Sequence, residues 1–251
     1  MKVIALDAGH GLTTKGKEIT LAGYPRTKEW YLNDRISDRV EELLADYECK
    51  VVRVGDTTGN KDLSLAQRVK TANNVGAAVY ISVHHDAGAN GSASGGTTVW
   101  YYSNSEVRKA QAQRLYNFVV GKTGLVGNRS NKVNKKGFYV LANTHMPAFL
   151  IENGFMDSAV DVPIILSPEH AEKTAHGIVE FLVKEYSLVK KKTAQSEFTS
   201  LYRSLEDACK ILAEEGIINS PDYWAKGEGY SVENTILLIK KFASYVRGDG
   251  K

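Results

Sequence analysis

The architecture of this chain follows most directly from one segment, AAVYISVHHDAG at residues 77–88. Its first part, Ala77–Val83, is apolar with β-branched and aromatic side chains, which is typical of a buried strand. The segment ends on two adjacent histidines and an aspartate. Because side chains alternate between the two faces of a strand, His84 and His85 cannot both point at one metal ion. One is a candidate ligand and the other its neighbour, and the spacing does not choose between them.

Similar short segments lie on either side of this one. Those rich in β-branched or aromatic residues predict strands at Val3–Leu6, Lys50–Val54, Ala77–Val83, Thr97–Tyr102 and Phe149–Ile151. Other segments carry apolar residues at helical spacing. These stripes are Leu32, Ile36, Val40, Leu43 and Leu44; Val107, Leu115, Phe118 and Val119; and Ala171, Ala175, Ile178, Val179 and Leu182. The alternation predicts an α/β fold with a mainly parallel twisted sheet flanked by helices.

Ligands of such sheets gather at the carboxyl ends of the parallel strands, and polar residues cluster there. His10 lies in the Gly-flanked turn after the first predicted strand, and Glu29 opens the next helix. Each has an ordinary structural explanation, as a loop residue or as a carboxylate that complements the helix dipole. Together with His84 or His85 they supply the three nitrogen and oxygen ligands of an open catalytic zinc site.

Glu152 ends the last predicted strand, after the apolar run Phe149–Ile151. A carboxylate in that position is expected to be partly buried, which is costly unless its charge is paired or used. A salt bridge to a lysine is one explanation. A carboxylate with a raised pKa, suited to accept and then donate a proton, is the interpretation we favour.

Composition limits the partners of the chain. It has 251 residues, 24% of them charged, and a formal net charge of +3, which is far below that of a dedicated nucleic-acid binder. Cys49 and Cys209 form no disulfide framework and no cysteine-based zinc pattern. The sequence begins as a strand and not as a secretory signal, and no stretch is long enough to span a bilayer. We therefore expect synthesis in the cytoplasm and neither membrane insertion nor nucleic-acid binding.

The character of the chain changes after Tyr186. We predict a catalytic domain at residues 1–187, a linker at 188–196 and a small all-α domain at 197–251. Two apolar faces indicate the helices of the small domain. They are Leu201, Leu205, Ala208 and Leu212, ending at Gly216, and Val232, Ile236, Ile239, Ala243 and Val246, starting from Ser231.

Several motifs in one order resemble those of zinc-dependent N-acetylmuramoyl-L-alanine amidases of the amidase-3 type. They are DAGHG, EWYLN, LAQRVKTAN leading to VYISVHHDA, GGTTVWYYS, and FYVLANTHMPAFLIENGFMDS, and the resemblance covers residues 1 to about 186. It implies that His10, Glu29 and His84 hold Zn²⁺ and that Glu152 is the catalytic acid and base. His85 then occupies the variable position beside the ligand.

The chain departs from that pattern at two positions. Ala8 stands where proline is frequent, and Asp86 where asparagine is frequent. Neither change removes a ligand. Two roles remain open for Asp86: it adds negative charge near the metal, or it orients His84 or His85 through a hydrogen bond.

The resemblance implies hydrolysis of the amide between N-acetylmuramic acid and L-alanine in bacterial peptidoglycan. The C-terminal segments ILAEEGIINSPDYW and YSVENTILLIKKFASYV resemble helical modules of clostridial wall-lytic enzymes, which implies wall targeting, with self-association or packing on the catalytic domain as alternatives. We expect a phage endolysin that reaches the wall once another factor releases it from the host cytoplasm. A host sporulation or autolytic amidase, a catalytically dead wall-binding protein and a zinc peptidase acting on free peptides are the alternatives.

Overall fold

The computed structural model describes residues 1–191 and 205–218 of the chain. The sequence divides into two compact units, Met1–Lys191 and Lys192–Lys251. The first unit is built on one sheet of strands β1 Lys2–Ala8, β2 Cys49–Arg53, β3 Val79–Asp86, β4 Thr97–Tyr101, β5 Val133–Lys135 and β6 Ala148–Phe155. Its helices are α1 Glu29–Leu44, α2 Leu65–Asn74, α3 Glu106–Thr123, α4 Tyr139–Ala142, α5 Val162–Ile165 and α6 Pro168–Tyr186.

The six strands follow the order β2-β1-β3-β6-β4-β5. The first four in this order are parallel, whereas β4 pairs antiparallel with β6 and β5 runs parallel to β4. Helices α1, α3 and α6 pack on one face, and their buried side chains form the larger core with β1, β3 and β6. Helices α2 and α4 contribute to a second core on the other face. The predicted mixed α/β class, with a mainly parallel sheet flanked by helices, is confirmed.

Burial shows which apolar stripes direct the packing. The stripe predicted for α6 is buried throughout, and in α1 only Leu43 of the predicted set is partly exposed. The inclusion of Val107 in the stripe of α3 was wrong, because its side chain is 66% exposed. Val107 lies in the first turn of α3, whereas the buried residues of this helix begin at Gln111 and include Leu115 and Val119.

The last strand is longer than the sequence pattern predicts, and Glu152 does not end it. Strand β6 continues for three residues beyond Glu152 to Phe155. It does so because β4 pairs with it on the side away from β3, with Thr97 opposite Asn153. Glu152 therefore lies within a strand that has partners on both sides.

Helix α7, Leu205–Glu214, is the described element of the second unit. It ends shortly before Gly216, whose positive φ of 70° suits the residue that follows a helix. Leu212 packs with the buried side chains of Cys209, Ile217 and Ile218. The second predicted helical face, from Ser231 to Val246, lies outside the described residues.

Candidate metal centre

Three side chains from separate elements meet at the carboxyl ends of β1 and β3. His10 lies in the turn after β1, Glu29 is the first residue of α1, and His84 is in β3. His10 Nε2 is 3.3 Å from Glu29 Oε2, and His84 Nδ1 is 3.0 Å from Glu29 Oε1. One potential ligand atom from each residue lies within 4.8 Å of the others. The structure thus brings together the three predicted ligands.

Gly9 explains how the two imidazoles approach each other. A Cβ at this position would lie 2.0 Å from Cε1 of His84, so only glycine leaves room for that ring. The following residue, His10, adopts a left-handed backbone with φ of 69°. Such a conformation is strained for a non-glycine residue and persists where the surroundings fix it. The His10 and His84 rings then stand edge to face, with centroids 4.9 Å apart.

Arg68 is the residue that fixes this turn, and no pattern in the sequence predicted this role. Its buried guanidinium donates to Asp7 Oδ1 at 2.5 Å, to the Ala8 carbonyl at 2.8 Å and to the His10 carbonyl at 2.7 Å. Asp7 also accepts hydrogen bonds from the hydroxyls of Tyr80 and Ser82. A buried cation thus ties α2 to the end of β1. Two features of the sequence could have indicated it. Asp7 is a carboxylate within an apolar strand and so needs a buried cation, and Arg68 lies in a segment that also carries a capping box.

The charge states in the cluster suit a metal cation. Burial raises the pKa of Glu29, but its hydrogen bond to His84 and the positive charges around it prevail and hold that pKa at about 2. Burial lowers the pKa of His10 to about 4, so its imidazole is neutral at pH 7. Burial also lowers the pKa of His84, but the bond and charge of Glu29 raise it overall. A metal would displace that proton, because ligand histidines must be neutral.

Glu152 lies directly beside the cluster. It is in register with His84 across β3 and β6, so the two side chains share one face of the sheet. Its Oε2 is buried and has no hydrogen-bond partner among the described residues. Burial, with the nearby carboxylates of Asp86 and Glu29, raises the pKa of Glu152 to about 8, although His84 opposes the shift. Glu152 can therefore exchange a proton near neutral pH.

A cleft of about 450 Å³ opens in front of these groups. His10, His84 and Glu152 line it together with Lys17, whose Nζ is 3.7 Å from Glu29 Oε2. Asp7, Asp62, Ser64 and Arg68 add polar atoms to the lining. The apolar part of the wall comes from residues at and before the N-terminus of α2, from α4 and the residue before it, and from β6. Those residues include Leu63, Leu65, Phe138, Tyr139, Val140 and Leu150. The cleft can hold a substrate with one face against apolar walls and its reacting bond at the polar end.

The remaining polar candidates are not part of the ligand cluster. Asp86 accepts a hydrogen bond from the Ala87 amide and lies 4.0 Å from Arg129. Within residues 1–191, neither the His84 nor the His85 ring is hydrogen-bonded to it. His145 is in an exposed loop after α4. His170 is buried in α6 beside the Asn153 carbonyl, and His176 pairs with Glu172 on the surface of that helix.

The larger unit is similar to known wall amidases. The family described as N-acetylmuramoyl-L-alanine amidase matches residues 4–184. The "Probable cell wall amidase LytH" of Staphylococcus aureus is 28% identical over 186 residues, which are 72% of this chain and 57% of that protein. The chain thus spans little more than half the length of this relative.

Solved structures agree with the sequence match. The catalytic domain of the amidase CwlV from Bacillus (Paenibacillus) polymyxa var. colistinus superimposes with a TM-score of 0.65 at 28% identity, covering 74% of this chain and 99% of that one. An N-acetylmuramoyl-L-alanine amidase from Clostridium difficile 630 gives the same score and identity, covering 74% of this chain and 97% of that one.

Among the described residues, no helix is both long and apolar enough to cross a bilayer.

Proposed function

The chain belongs to the N-acetylmuramoyl-L-alanine amidase family, and on that premise we propose that it hydrolyses the amide between N-acetylmuramic acid and L-alanine in peptidoglycan. We further propose that His10, Glu29 and His84 hold a zinc ion for this reaction and that Glu152 transfers the proton. The observation that carries the proposal is the approach of three ligand atoms to within 4.8 Å of one another on the sheet face that Glu152 shares.

The donor set fits zinc. Two imidazoles and one carboxylate, with room for water, are a common ligand set of catalytic zinc, and soft sulfur ligands are not required. The three ligands carry one negative charge when both histidines are neutral. Glu29 Oε2 is buried and accepts no hydrogen bond from the described residues. Its neighbours are His10 Nε2 at 3.3 Å and Lys17 Nζ at 3.7 Å. A bound cation would therefore satisfy an oxygen that otherwise has only these ion-pair contacts.

The reaction needs help at the carbonyl, at the water and at the leaving amine. Bound zinc would polarise the amide carbonyl and lower the pKa of water towards about 7. The Glu152 carboxylate accepts a proton from the attacking water and returns it to the departing nitrogen of alanine. Its raised pKa suits both halves of this exchange, because a group with a pKa near the working pH both accepts and donates readily.

The wall setting has two candidates. We propose a phage endolysin, freed by another factor to reach the host wall, on the resemblance of the C-terminal segment to modules of wall-lytic enzymes. A host amidase that remodels its own wall is favoured by a different observation, the similarity to the probable cell wall amidase of Staphylococcus aureus and to an N-acetylmuramoyl-L-alanine amidase of Clostridium difficile. The neighbouring genes distinguish the two, because a holin beside this gene would indicate a phage.

The decisive experiment scores new chemical ends on purified cell walls. The full chain is incubated with and without a chelator, and new amino termini and new reducing sugars are measured together. We expect new N-terminal alanine without reducing ends, lost on chelation and restored by Zn²⁺. Reducing ends or other amino termini would contradict the bond assignment. Wall binding without any release would indicate a binding protein, and cleavage of free peptides alone a peptidase.

A further inference from the structure

His85 is buried behind the metal centre, and its ring is held by α1. Its side chain lies on the face of β3 opposite to that of His84. His85 Nδ1 is 2.8 Å from the side-chain oxygen of Asn33, which lies one helical turn after Glu29. Asn33 Nδ2 lies 3.4 Å from Glu29 Oε1 and 3.1 Å from the Gly9 carbonyl. The imidazole is thus connected to Glu29 through one amide.

The hydrogen-bond directions in this chain follow from the acceptors. The Gly9 carbonyl and the Glu29 carboxylate only accept, so the Asn33 amide nitrogen faces them and its oxygen faces His85. That oxygen requires a donor, so His85 carries its proton on Nδ1. With its proton on Nδ1, the imidazole has its unprotonated nitrogen, an acceptor, at Nε2.

Packing alone does not explain a histidine at this position. Its Nε2 is buried without a hydrogen-bond partner among the described residues. An unpaired buried acceptor is destabilising, and an apolar side chain of similar size would avoid that cost. The use of this imidazole therefore lies in its other nitrogen, which contacts Asn33.

The contact affects how Glu29 is presented. Glu29 Oε1 faces His84 Nδ1 at 3.0 Å, the His85 backbone amide at 3.2 Å and the Asn33 amide at 3.4 Å. Its other oxygen, Oε2, is the one without a hydrogen bond. A fixed Asn33 amide therefore keeps Oε1 occupied and leaves Oε2 directed at the cluster.

We propose that His85 is a positioning residue for the metal centre: its Nδ1–H fixes the Asn33 amide, which in turn holds the Gly9 carbonyl and orients Glu29 for the bound cation. The inference rests on the proposed function, because it assumes that the cluster binds zinc. Supporting groups of this kind typically contribute a factor of 10–100 to metal affinity or activity.

The test compares two amides at position 85. In His85→Asn the amide nitrogen falls where Nδ1 was, whereas in His85→Gln it falls near the position of Nε2. Zn²⁺ dissociation constants of the full chain are measured by competition with a chromogenic chelator. We expect His85→Gln and His85→Leu to weaken zinc binding about 10–100-fold and His85→Asn to retain affinity within about threefold of wild type.

A double-mutant cycle and a packing control complete the design. Asn33→Ala and His85→Gln together should weaken binding no more than Asn33→Ala alone, because both interrupt one connection. Leu115→Ala removes a buried side chain of α3 away from the site and should lower thermal stability without changing zinc affinity. A melting curve identifies any variant that does not fold. The comparison is then made among the folded variants at position 85.

Zinc affinity like that of wild type in folded His85→Gln and His85→Leu would overturn the inference. Equal losses in His85→Asn and His85→Gln would also overturn it, since Nδ1 would then have no special part. If the wild-type chain binds no Zn²⁺, the proposed zinc site itself is wrong, and the role of His85 falls with it. If wild type binds Zn²⁺ and the variants do so equally well, only the role of His85 is wrong.

Discussion

Glu152 combines a buried oxygen with a place beside the ligands, and this combination predicts the result of a near-isosteric change. Glu152→Gln keeps the shape of the side chain and removes its capacity to accept a proton. Zinc binding should remain within a few-fold of wild type, while turnover on purified walls should fall about 10²–10⁴-fold. Near-normal turnover with zinc bound would contradict the role given to Glu152.

The same variant has a second, independent readout. Folded Glu152 keeps its proton up to about pH 8, against 4.5 for the ordinary carboxyl. A raised pKa means that the folded state loses stability as pH rises between these values. Without metal, Glu152→Gln should therefore be more stable than wild type above pH 8 and equally stable below pH 4.5. This outcome would show that loss of turnover is not loss of folding.

The pH dependence of activity should follow from the neighbours of Glu152. A base must be deprotonated, so kcat/KM should rise with pH through the pKa of Glu152. A bound cation favours the carboxylate, which places that rise between 4.5 and 8. Asp86→Asn removes a negative charge that raises this pKa, so the rise should move to lower pH. Asp46→Asn, an exposed carboxylate after α1, is the control, and an equal shift in both variants would refute the argument.

Gly9 offers a steric test of the cluster. In Gly9→Ala the new methyl group would lie 2.0 Å from the His84 ring, which would have to move. We expect zinc affinity and turnover to fall at least tenfold, since ligand orientation is disturbed. Gly121→Ala is the matched control: it lies in α3 with open space around it, and alanine should stabilise the helix by about 0.5–1 kcal/mol. Unchanged zinc affinity in Gly9→Ala would mean that the observed approach of the two rings is not required.

Among the elements, the short apolar strands and the helices with clear apolar stripes were predicted correctly, whereas β5, α2, α4 and α5 were missed. Helices α1 and α6 bury apolar stripes that are visible in the sequence. Strand β5 has only the residues Val133–Lys135, a length at which no alternation can be recognised. Helix α2 has a weak stripe, but Ser64 and Gln67 form a capping box that marks its start.

The sequence predicts those residues of the candidate site whose side chains bind metals or transfer protons, and it does not predict the residues that support them. His10, Glu29, His84 and Glu152 were selected by residue type and by family resemblance, and the structure brings the first three together. The supporting residues were not selected, because arginine and asparagine within helices have many ordinary uses. Arg68 acquires its role only when the fold buries it against Asp7.

The attachment of α2 to β1 is therefore the contact between elements that most needs testing. Arg68→Met leaves the buried Asp7 carboxylate without its cation, which should cost about 3–5 kcal/mol of unfolding free energy. Asp7→Asn in the same chain should recover part of that loss. Arg114→Met breaks an exposed pair with Glu185 and should cost no more than about 1 kcal/mol. Equal losses in the two single variants, measured by denaturant unfolding, would contradict the assignment.

At the scale of the whole molecule, the last described residues of the first unit, 188–191, pack against its core and against the segment between α1 and β2. Leu188 is buried in the larger core, and Lys190 forms a bridge with Tyr47. The Glu48 amide donates to the Val189 carbonyl, and the Lys191 amide donates to the Asp46 carbonyl. Residues 188–191, which the sequence assigns to a linker, thus extend the contacts of the catalytic unit.

These contacts predict a difference between two truncated chains. Residues 1–191 retain all of them, whereas residues 1–187 lose the buried Leu188 and the bridge, at a cost of about 2–3 kcal/mol of unfolding free energy.

Both truncated chains lack the C-terminal unit, so on a soluble muropeptide residues 1–191 should keep the turnover of the full chain. On intact walls residues 1–191 should be weaker by about 10²–10⁴-fold if the second unit binds peptidoglycan, because the linked module then raises the local concentration of enzyme on its substrate. Equal activity of residues 1–191 and the full chain on walls would contradict wall targeting. Equal stability of residues 1–191 and residues 1–187 in denaturant would contradict the part given to Leu188.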